Sequence, residues 1–482
     1  MNKRKLVIIG NGMAGARIAS DILARGGAAR GGAARFEIAV FGDEPGGNYN
    51  RVMLSDVLNG SKSAQSIVLH PLEWYLEHEI RLLAGEKAIR IDREKKLIFG
   101  DKDSVEAFDT LIIATGSRAF VPPIEGLNTR EGAPKAGVFV MRTLADCARI
   151  AGYAAKAPRA IVVGGGLLGL EAARGLMQHG ARVHLVNRSG GLMAQQLDQT
   201  GSDLLQSAIE AMGIAVHLEK VSRRILGEES VTGLGFEDES EIGADMIVFA
   251  CGITPNVELA RESGLQVERA IKVDDQMRCD GEDEIYALGE CAQHRGQVYG
   301  LVAPIWEQSR VLADVLTGKS SDAAYLGSKT STKLKVMGVE LASMGAPSER
   351  EGDEVVEYLE RKRNRYKKLV IRDGKLVGAI LLGDASGAAS LMQIFEREMA
   401  LPEDRAALLF KIGKTRDDVS ALSDETAVCN CNGVSAGAIR TCLANGAADV
   451  PAIMSQTRAG TGCGGCKGLL QALVVAAKVA TV

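Results

Sequence analysis

One arrangement of apolar and polar positions occurs twice along the chain. KLVIIG at residues 5–10 is a short apolar strand ending in a glycine loop, Gly10-Asn11-Gly12-Met13-Ala14-Gly15. Apolar positions then recur at helical spacing through ARIASDILA, and a second apolar strand, FEIAVFG, follows. From residue 159 the same order returns as RAIVVGGG, LLGLEAARGLMQHG and ARVHLVN. FDTLIIATG (Phe108 to Gly116) is a further apolar strand ending in a turn, ACGITPN (Ala250 to Asn256) reads as a matching return strand, and IYALGE covers 285–290. From about residue 326 the texture changes to the alternating strands EVVEYLE, YKKLVI and KLVGAILLG, with an Asp373-Gly374 turn signal between the last two. A polar stretch at 413–427 precedes a cysteine-rich tail with two helical segments, SAGAIRTCLANG and KGLLQALVVAAK.

The glycine loops give the two repeated units a chemistry. A G-x-G-x-x-G between strand and helix lets the backbone approach a pyrophosphate, which then rests on the positive end of the helix. Here the pattern occurs at Gly10, Gly12 and Gly15 and again at Gly164, Gly166 and Gly169. The candidate contacts are these glycines with Met13 and Ala14 in the first loop, and with Leu167, Leu168 and Glu171 in the second. The strand after the first helix ends in Gly42-Asp43-Glu44, and Asp43 or Glu44, with Glu44 favoured, is expected to accept from a ribose hydroxyl. Gly15 lies 28 residues before Asp43 because a pentapeptide, ARGGA, is repeated at 24–28 and 29–33. That repeat reads as an exposed loop expansion, and without one or two copies the spacing returns to the usual ~20 residues. The predicted fold class is therefore α/β, with two Rossmann-like dinucleotide-binding domains, a small α+β domain and a helical C-terminal module. The first domain is expected to span 1–125 and 257–325, with the second, 126–256, inserted in it; 326–412 and 426–482 complete the chain.

Composition narrows the function class. Of 482 residues, 46% are hydrophobic and 24% charged, the balance of an ordinary globular chain, which excludes disorder and a collagen or disulfide scaffold. A net charge of -4 gives no footprint for nucleic acid or an anionic membrane. No stretch reaches the ~18 uninterrupted apolar residues of a membrane helix, and the N-terminus has too short an apolar core for a secretory signal, so a cytoplasmic location is expected. The basic run Arg361, Lys362, Arg363, Arg365, Lys367 and Lys368 follows an acidic strand and reads as a solvated hairpin with opposite charges paired across strands. The six histidines are scattered without metal spacing, and Trp74 and Trp306 are too few for a binding stripe.

The nine cysteines are unevenly placed. Cys429 and Cys431 form a C-x-C, and after 31 intervening residues Cys463 and Cys466 form a C-x-x-C, each pair near the start of a helical segment. Four thiolates so arranged admit a two-iron two-sulfur cluster or a structural zinc. Cys147, Cys251, Cys279, Cys291 and Cys442 read as packing residues.

These segments together resemble the two-dinucleotide-domain flavoproteins related to glutathione reductase. ECAQHRGQVYGLVAPIWEQ (290–308), NYNRVMLS (48–55) and STKLKVMGVELASMG (331–345) resemble more narrowly the flavin-containing half of the large subunit of NAD(P)H nitrite reductases, where Gly289-Glu290 is normal in place of the superfamily's Gly-Asp. The C-x-C and C-x-x-C tail resembles the bacterioferritin-associated-ferredoxin-like module. The resemblance implies FAD on the first unit, NADH or NADPH on the second and a [2Fe-2S] cluster on Cys429, Cys431, Cys463 and Cys466. It adds Thr115, Gly116, Gly252, Gly289 and Glu290 to the cofactor contacts and places Arg51 and Arg142 along the flavin and its phosphates. Relatives that reduce ferredoxins usually carry a lysine where this chain has Asp56.

Disulfide and peroxide reductases of this fold need a thiolate on the flavin shortly after the first acid, whereas the first cysteine here is Cys147. Electrons are therefore expected to pass from NAD(P)H to FAD, to the cluster and on to a protein partner, with no side-chain acid or base named as catalytic. A complete nitrite reductase subunit of this kind continues into a sirohaem domain, and the chain ends 16 residues after Cys466. The expected role is thus an electron-transfer subunit, resembling the small subunit of assimilatory nitrate reductases, that feeds a molybdenum nitrate reductase. A donor to a separate nitrite reductase, a ferredoxin- or rubredoxin-type reductase, a zinc-stapled NAD(P)H oxidase and a redox or iron sensor are the alternatives; a homodimer is compatible with all of them. Asn187-Arg188 stands where an acid would exclude a 2′-phosphate, so nucleotide choice stays open, with NADH favoured by the resemblance.

Overall fold

The computed structural model describes residues 3–26, 36–410, 419, 422–429, 432–461 and 466–480. Most of the ARGGA repeat, part of the polar stretch, Cys431 and Cys463 lie outside the described residues. The chain divides into two compact units. One comprises Met1–Arg51, Ala64–Arg118 and Ile253–Ser328; the other comprises Val52–Ser63, Ala119–Gly252 and Lys329–Val482.

The first unit is built on a five-stranded parallel sheet in the order Ile285–Ala287, Thr110–Ile113, Arg4–Ile9, Phe36–Gly42, Arg81–Ala84. Leu6 to Ile9 and Leu111 to Ile113 are buried on both faces, as an unbroken apolar run in a parallel sheet requires. Helices Met13–Ala24 and Val302–Thr317 pack together over this core. Between them, buried Asp21 accepts from the Ser309 hydroxyl at 2.7 Å and pairs with Arg17 at 2.9 Å. Arg25, the first arginine of the repeat, pairs with Asp314 at 2.5 Å. The start of the repeat therefore anchors a helix end.

The second unit repeats the plan, with parallel strands in the order Val138–Val140, Met246–Phe249, Arg159–Val163, Arg182–Val186, Ala215–His217. In both units the fifth strand listed is followed by a three-stranded antiparallel ribbon, Ala88–Asp92 to Val105–Ala107 in one and Ser222–Leu226 to Glu241–Gly243 in the other. ACGITPN is not one strand: the sheet strand stops at Phe249, and only Ile253–Pro255 is extended again.

Beyond residue 330 a five-stranded antiparallel sheet runs in the order Ser331–Val336, Val339–Gly345, Lys375–Leu382, Arg365–Arg372, Glu354–Glu360. Asp373 and Gly374 both have positive φ, +50° and +73°, as a two-residue primed turn requires. The cross-strand charges pair as the alternation predicts, with Glu357 opposite Lys368 and Glu360 opposite Arg365. The hairpin is not uniformly solvated, however. Lys367 and Lys368 are buried; Lys367 lies 2.9 Å from Asp384, and Lys368 lies 3.0 Å from both Asp198 and Glu349. The covering partner, Asp198, is distant in sequence and caps helix Gln199–Ala211.

The tail packs helices Ala436–Ala444, Val450–Thr457 and Lys467–Ala480 around Ile439, Ile453 and Leu470. The middle helix was not among the two expected from the pattern, although Asp449 caps it and proline occupies its first turn.

Asp198 does two jobs, accepting the Gly201 N–H at 3.0 Å and facing Lys368 and the Tyr366 hydroxyl, 2.7 Å away. Burial alone would raise its carboxyl; the Gly201 N–H, Tyr366 and Lys368 hold it below the ordinary carboxylate range. Because the folded-state value is depressed, this contact stabilises fully above the unfolded pKa of about 4 and is lost as pH falls through the lowered folded value. Asp198→Asn keeps a capping acceptor and loses the charge, whereas Asp198→Ala loses both. Urea denaturation at pH 7 is expected to place the alanine variant about 1 kcal/mol below the asparagine variant, with wild type above both.

Candidate dinucleotide and cluster sites

In the first unit the glycine loop follows the central strand. Gly10 has φ +112°, and a Cβ there would lie 2.3 Å from the Ala114 carbonyl oxygen; one on Gly15 would lie 1.8 Å from the Gly10 oxygen. Those two glycines let strand, loop and helix cross in contact. Gly12 differs. It caps helix Met13–Ala24 in an extended conformation, and a Cβ on it would meet nothing nearer than Arg51 Nε at 3.9 Å. Met13 and Ala14 are buried in the first helical turn, and Gly289, at φ +86°, is held against Ala14, where a Cβ would come within 2.9 Å.

The strand after that helix ends at Gly42. Asp43 is exposed, while Glu44 accepts from the Tyr49 hydroxyl at 2.7 Å and pairs with Arg51. Glu44, Tyr49 and Arg51 thus form one cluster beside the loop. Thr115 and Gly116 are tied to the returning chain: the Thr115 hydroxyl donates to the Asn256 carbonyl at 2.8 Å, and Asn256 Nδ2 donates back to the Thr115 carbonyl at 2.9 Å. Glu290 accepts from the Ser117 hydroxyl at 2.6 Å, and the Gly289 N–H donates to Gln308 Oε1 at 2.9 Å.

Residue spacing did not reveal what holds Asn11, inside the loop. Buried Tyr75 donates its hydroxyl to Asn11 Oδ1 at 2.6 Å, and Asn48 Nδ2 donates to the Asn11 carbonyl at 3.0 Å. Burial pushes the Tyr75 hydroxyl up to about 12, so it remains a donor at neutral pH.

The second unit reproduces the crossing. A Cβ on Gly164 (φ +127°) would lie 2.3 Å from the Ala250 oxygen, and one on Gly169 would lie 1.9 Å from the Gly164 oxygen, while Gly166, capping helix Leu167–Gln178, has nothing within 4 Å. Leu168 is exposed beside it and Leu167 half-buried. Asn187 is engaged at both ends: its Oδ1 accepts from the Gly165 N–H at 3.0 Å, and its Nδ2 donates to Ser189 Oγ and to the Gly191 carbonyl, each at 2.8 Å. Arg188 is exposed. Gly252, at φ +117°, is open, and its carbonyl accepts from the Phe120 N–H. The Arg142 N–H donates to Asp146. Glu171 is buried, and its carboxylate accepts from the Met337 N–H at 3.1 Å. Burial raises its pKa, and the Asp56 charge adds to that.

In the tail, Cys429 ends strand Ala427–Cys429 and Cys466 immediately precedes helix Lys467–Ala480; both are buried. Asn432 Nδ2 donates to the Arg458 carbonyl at 2.6 Å, tying the segment after the C-x-C to the turn before the C-x-x-C. Cys442 lies within helix Ala436–Ala444, its thiol donating to Gln456.

Two open helix-capping glycines, each over a crossing too tight for a side chain, are what paired dinucleotide sites require, and the family model for pyridine nucleotide-disulphide oxidoreductases matches residues 4–306. The chain belongs to that family. The model for the rubredoxin NAD+ reductase C-terminal domain matches 331–399 and that for the BFD-like [2Fe-2S] binding domain matches 427–475. Over 98% of its length the chain is 40% identical to a nitrite reductase [NAD(P)H] of Bacillus subtilis (strain 168), covering 58% of that protein. It is 38% identical over 98% of its length to the assimilatory nitrate reductase electron transfer subunit of the same organism, covering 60% of it. The chain thus spans less than two thirds of these relatives. Among solved structures, putidaredoxin reductase in its covalent complex with putidaredoxin superposes with a TM-score of 0.73 at 21% identity, covering 85% of this chain and 99% of that one.

The protein is therefore an FAD-dependent NAD(P)H oxidoreductase with a [2Fe-2S] domain. Among the described residues no helix is long and apolar enough to cross a membrane. The open glycines fit two nucleotide pyrophosphates, and the buried Cys429 and Cys466 fit a thiolate donor set.

Because a methyl on Gly166 meets only open space, one on Gly12 makes no more than ordinary contact with Arg51, and both backbones are extended, Gly12→Ala and Gly166→Ala should fold. Gly12→Ala is expected to weaken FAD reconstitution of the apoprotein, read by flavin fluorescence, and Gly166→Ala to raise KM for NAD(P)H, each by roughly tenfold, or about 1.4 kcal/mol. Matching affinities in the variants and wild type would place the pyrophosphates elsewhere.

Proposed function

We propose that this protein collects electrons from NADH and hands them to a molybdenum nitrate reductase. In this reading FAD lies on Gly10, Gly12, Met13, Ala14 and Gly15, with Glu44 at a ribose hydroxyl, Arg51 and Arg142 along the flavin and phosphates, and Glu290 on the ribityl chain. The nicotinamide nucleotide lies on Gly164, Gly166 and Gly169. Cys429, Cys431, Cys463 and Cys466 hold the cluster. Bound there, FAD would supply hydride acceptance from the nucleotide and the cluster would supply one-electron transfer.

The observation that carries this reading is the state of the other thiols. No cysteine precedes Cys147. Cys147 is buried, and burial first, then the Asp146 charge, pushes its pKa up to about 12. Burial likewise raises Cys251, Cys279 and Cys291. A thiol so held is not the thiolate that disulfide exchange needs, which leaves the C-terminal cysteines as the exit. The two relatives named above do not separate nitrate from nitrite reductase as acceptor, because the chain covers nearly the same share of each. A nitrite reductase component is accordingly the second reading.

Iron and sulfide analysis should find about two of each per chain; zinc without iron would remove the electron-transfer reading. Cys463→Ser is expected to abolish reduction of a purified molybdenum nitrate reductase, followed as nitrate-dependent NADH oxidation, while NADH still bleaches the flavin. Loss of bleaching as well would indicate a folding defect, and activity with a sirohaem nitrite reductase and nitrite alone would select the second reading.

A further inference from the structure

Three strand ends meet at the carboxyl edge of the second parallel sheet, where open α/β sheets bind ligands. The glycine loop follows Arg159–Val163, Asn187-Arg188 follows Arg182–Val186, and Leu218-Glu219 follows Ala215–His217. The last two ends are joined: the Lys220 N–H donates to the Asn187 carbonyl at 3.0 Å and the Glu219 N–H to the Ser189 carbonyl at 3.4 Å. Ordinarily an acid at the end of the second strand accepts from the adenosine ribose 2′-hydroxyl and repels a 2′-phosphate. Asn187 cannot do the repelling half of that role: it is uncharged, and it is held in its own loop, its oxygen accepting from Gly165 and its amide donating to Ser189 and Gly191.

A carboxylate stands next to it on the neighbouring strand end. Glu219 is exposed, and a Cβ on Gly190 would lie 3.5 Å from Glu219 Oε1, so this carboxylate flanks the Arg188-Ser189-Gly190 loop. Among the described residues its side chain has no hydrogen-bond or ion-pair partner. Its φ of +55° is a conformation that non-glycine residues adopt at a cost. Glycine or asparagine would suit that position better if the turn were all that mattered.

Resting on the reading that the nucleotide occupies the Gly164 loop, we propose that Glu219 selects NADH over NADPH. Its carboxylate, supplied from the third strand end instead of the second, accepts from the ribose 2′-hydroxyl and repels a 2′-phosphate that Arg188 alone would attract.

The test compares kcat/KM for NADH and NADPH in holoprotein, with flavin bleaching as readout, for wild type, Glu219→Gln and Gly166→Ala. Wild type is expected to favour NADH, and Glu219→Gln to raise the NADPH-to-NADH ratio roughly tenfold, an effect carried by KM. Wild-type preference for NADPH, or an unchanged ratio in Glu219→Gln, overturns the assignment. If Gly166→Ala loses both nucleotides while Glu219→Gln leaves the ratio unchanged, the nucleotide site stands and only Glu219 falls. If Gly166→Ala binds both as wild type does, the site itself falls and Glu219 with it.

Discussion

Everything about the two nucleotide units depends on a backbone crossing with no room for a side chain. Gly10 runs against the Ala114 carbonyl and Gly15 against Gly10; Gly164 and Gly169 do the same at Ala250 and Gly164. Each crossing sets the helix directly behind the central strand, so the helix N-terminus faces the carboxyl edge of the sheet. The residue between the tight pair, Gly12 or Gly166, is left uncrowded, the room that a pyrophosphate at the helix N-terminus would need.

That constraint explains what could be read from residue order. A clash with a carbonyl fixes glycine at fixed intervals, so the loops, their strands and their helices were legible despite the ARGGA expansion. Cross-strand pairing of Glu357 with Lys368 was legible too, because alternation and register are local. Burial of Lys368 was not, since its partner Asp198 lies 170 residues away. The hold on Asn11 by Tyr75 was equally hidden, the two lying 64 positions apart with no spacing rule to link them. At Asn187 the sequence shows a missing acid, but only the fold shows that the amide is tied into its own loop.

The cysteines divide by environment more than by number. Those in the nucleotide units are pushed up in pKa by burial, so a family named for disulphides is represented here by a chain whose nucleotide-unit thiols are disfavoured as thiolates. Cys429 and Cys466 are buried as well, but beside strand and helix ends whose backbone amides can accommodate sulfur charge. The same element thus serves as filler in one part of the chain and as candidate wiring in another.

The pairing of Lys368 with Asp198 has a consequence for anyone who would rebuild this protein from parts. The domain after residue 330 carries a buried ammonium, Lys368, that shares its charge between Glu349 and Glu357 of the same domain and a helix cap, Asp198, in the nucleotide unit. A graft of that domain onto another flavoprotein would keep Glu349 and Glu357 beside Lys368 but lose the carboxylate of Asp198 and its bond to the Tyr366 hydroxyl, unless the recipient offered an acid at the same helix end. Modularity in this chain therefore follows the charge network, and its seams lie elsewhere than at the ends of the sheets.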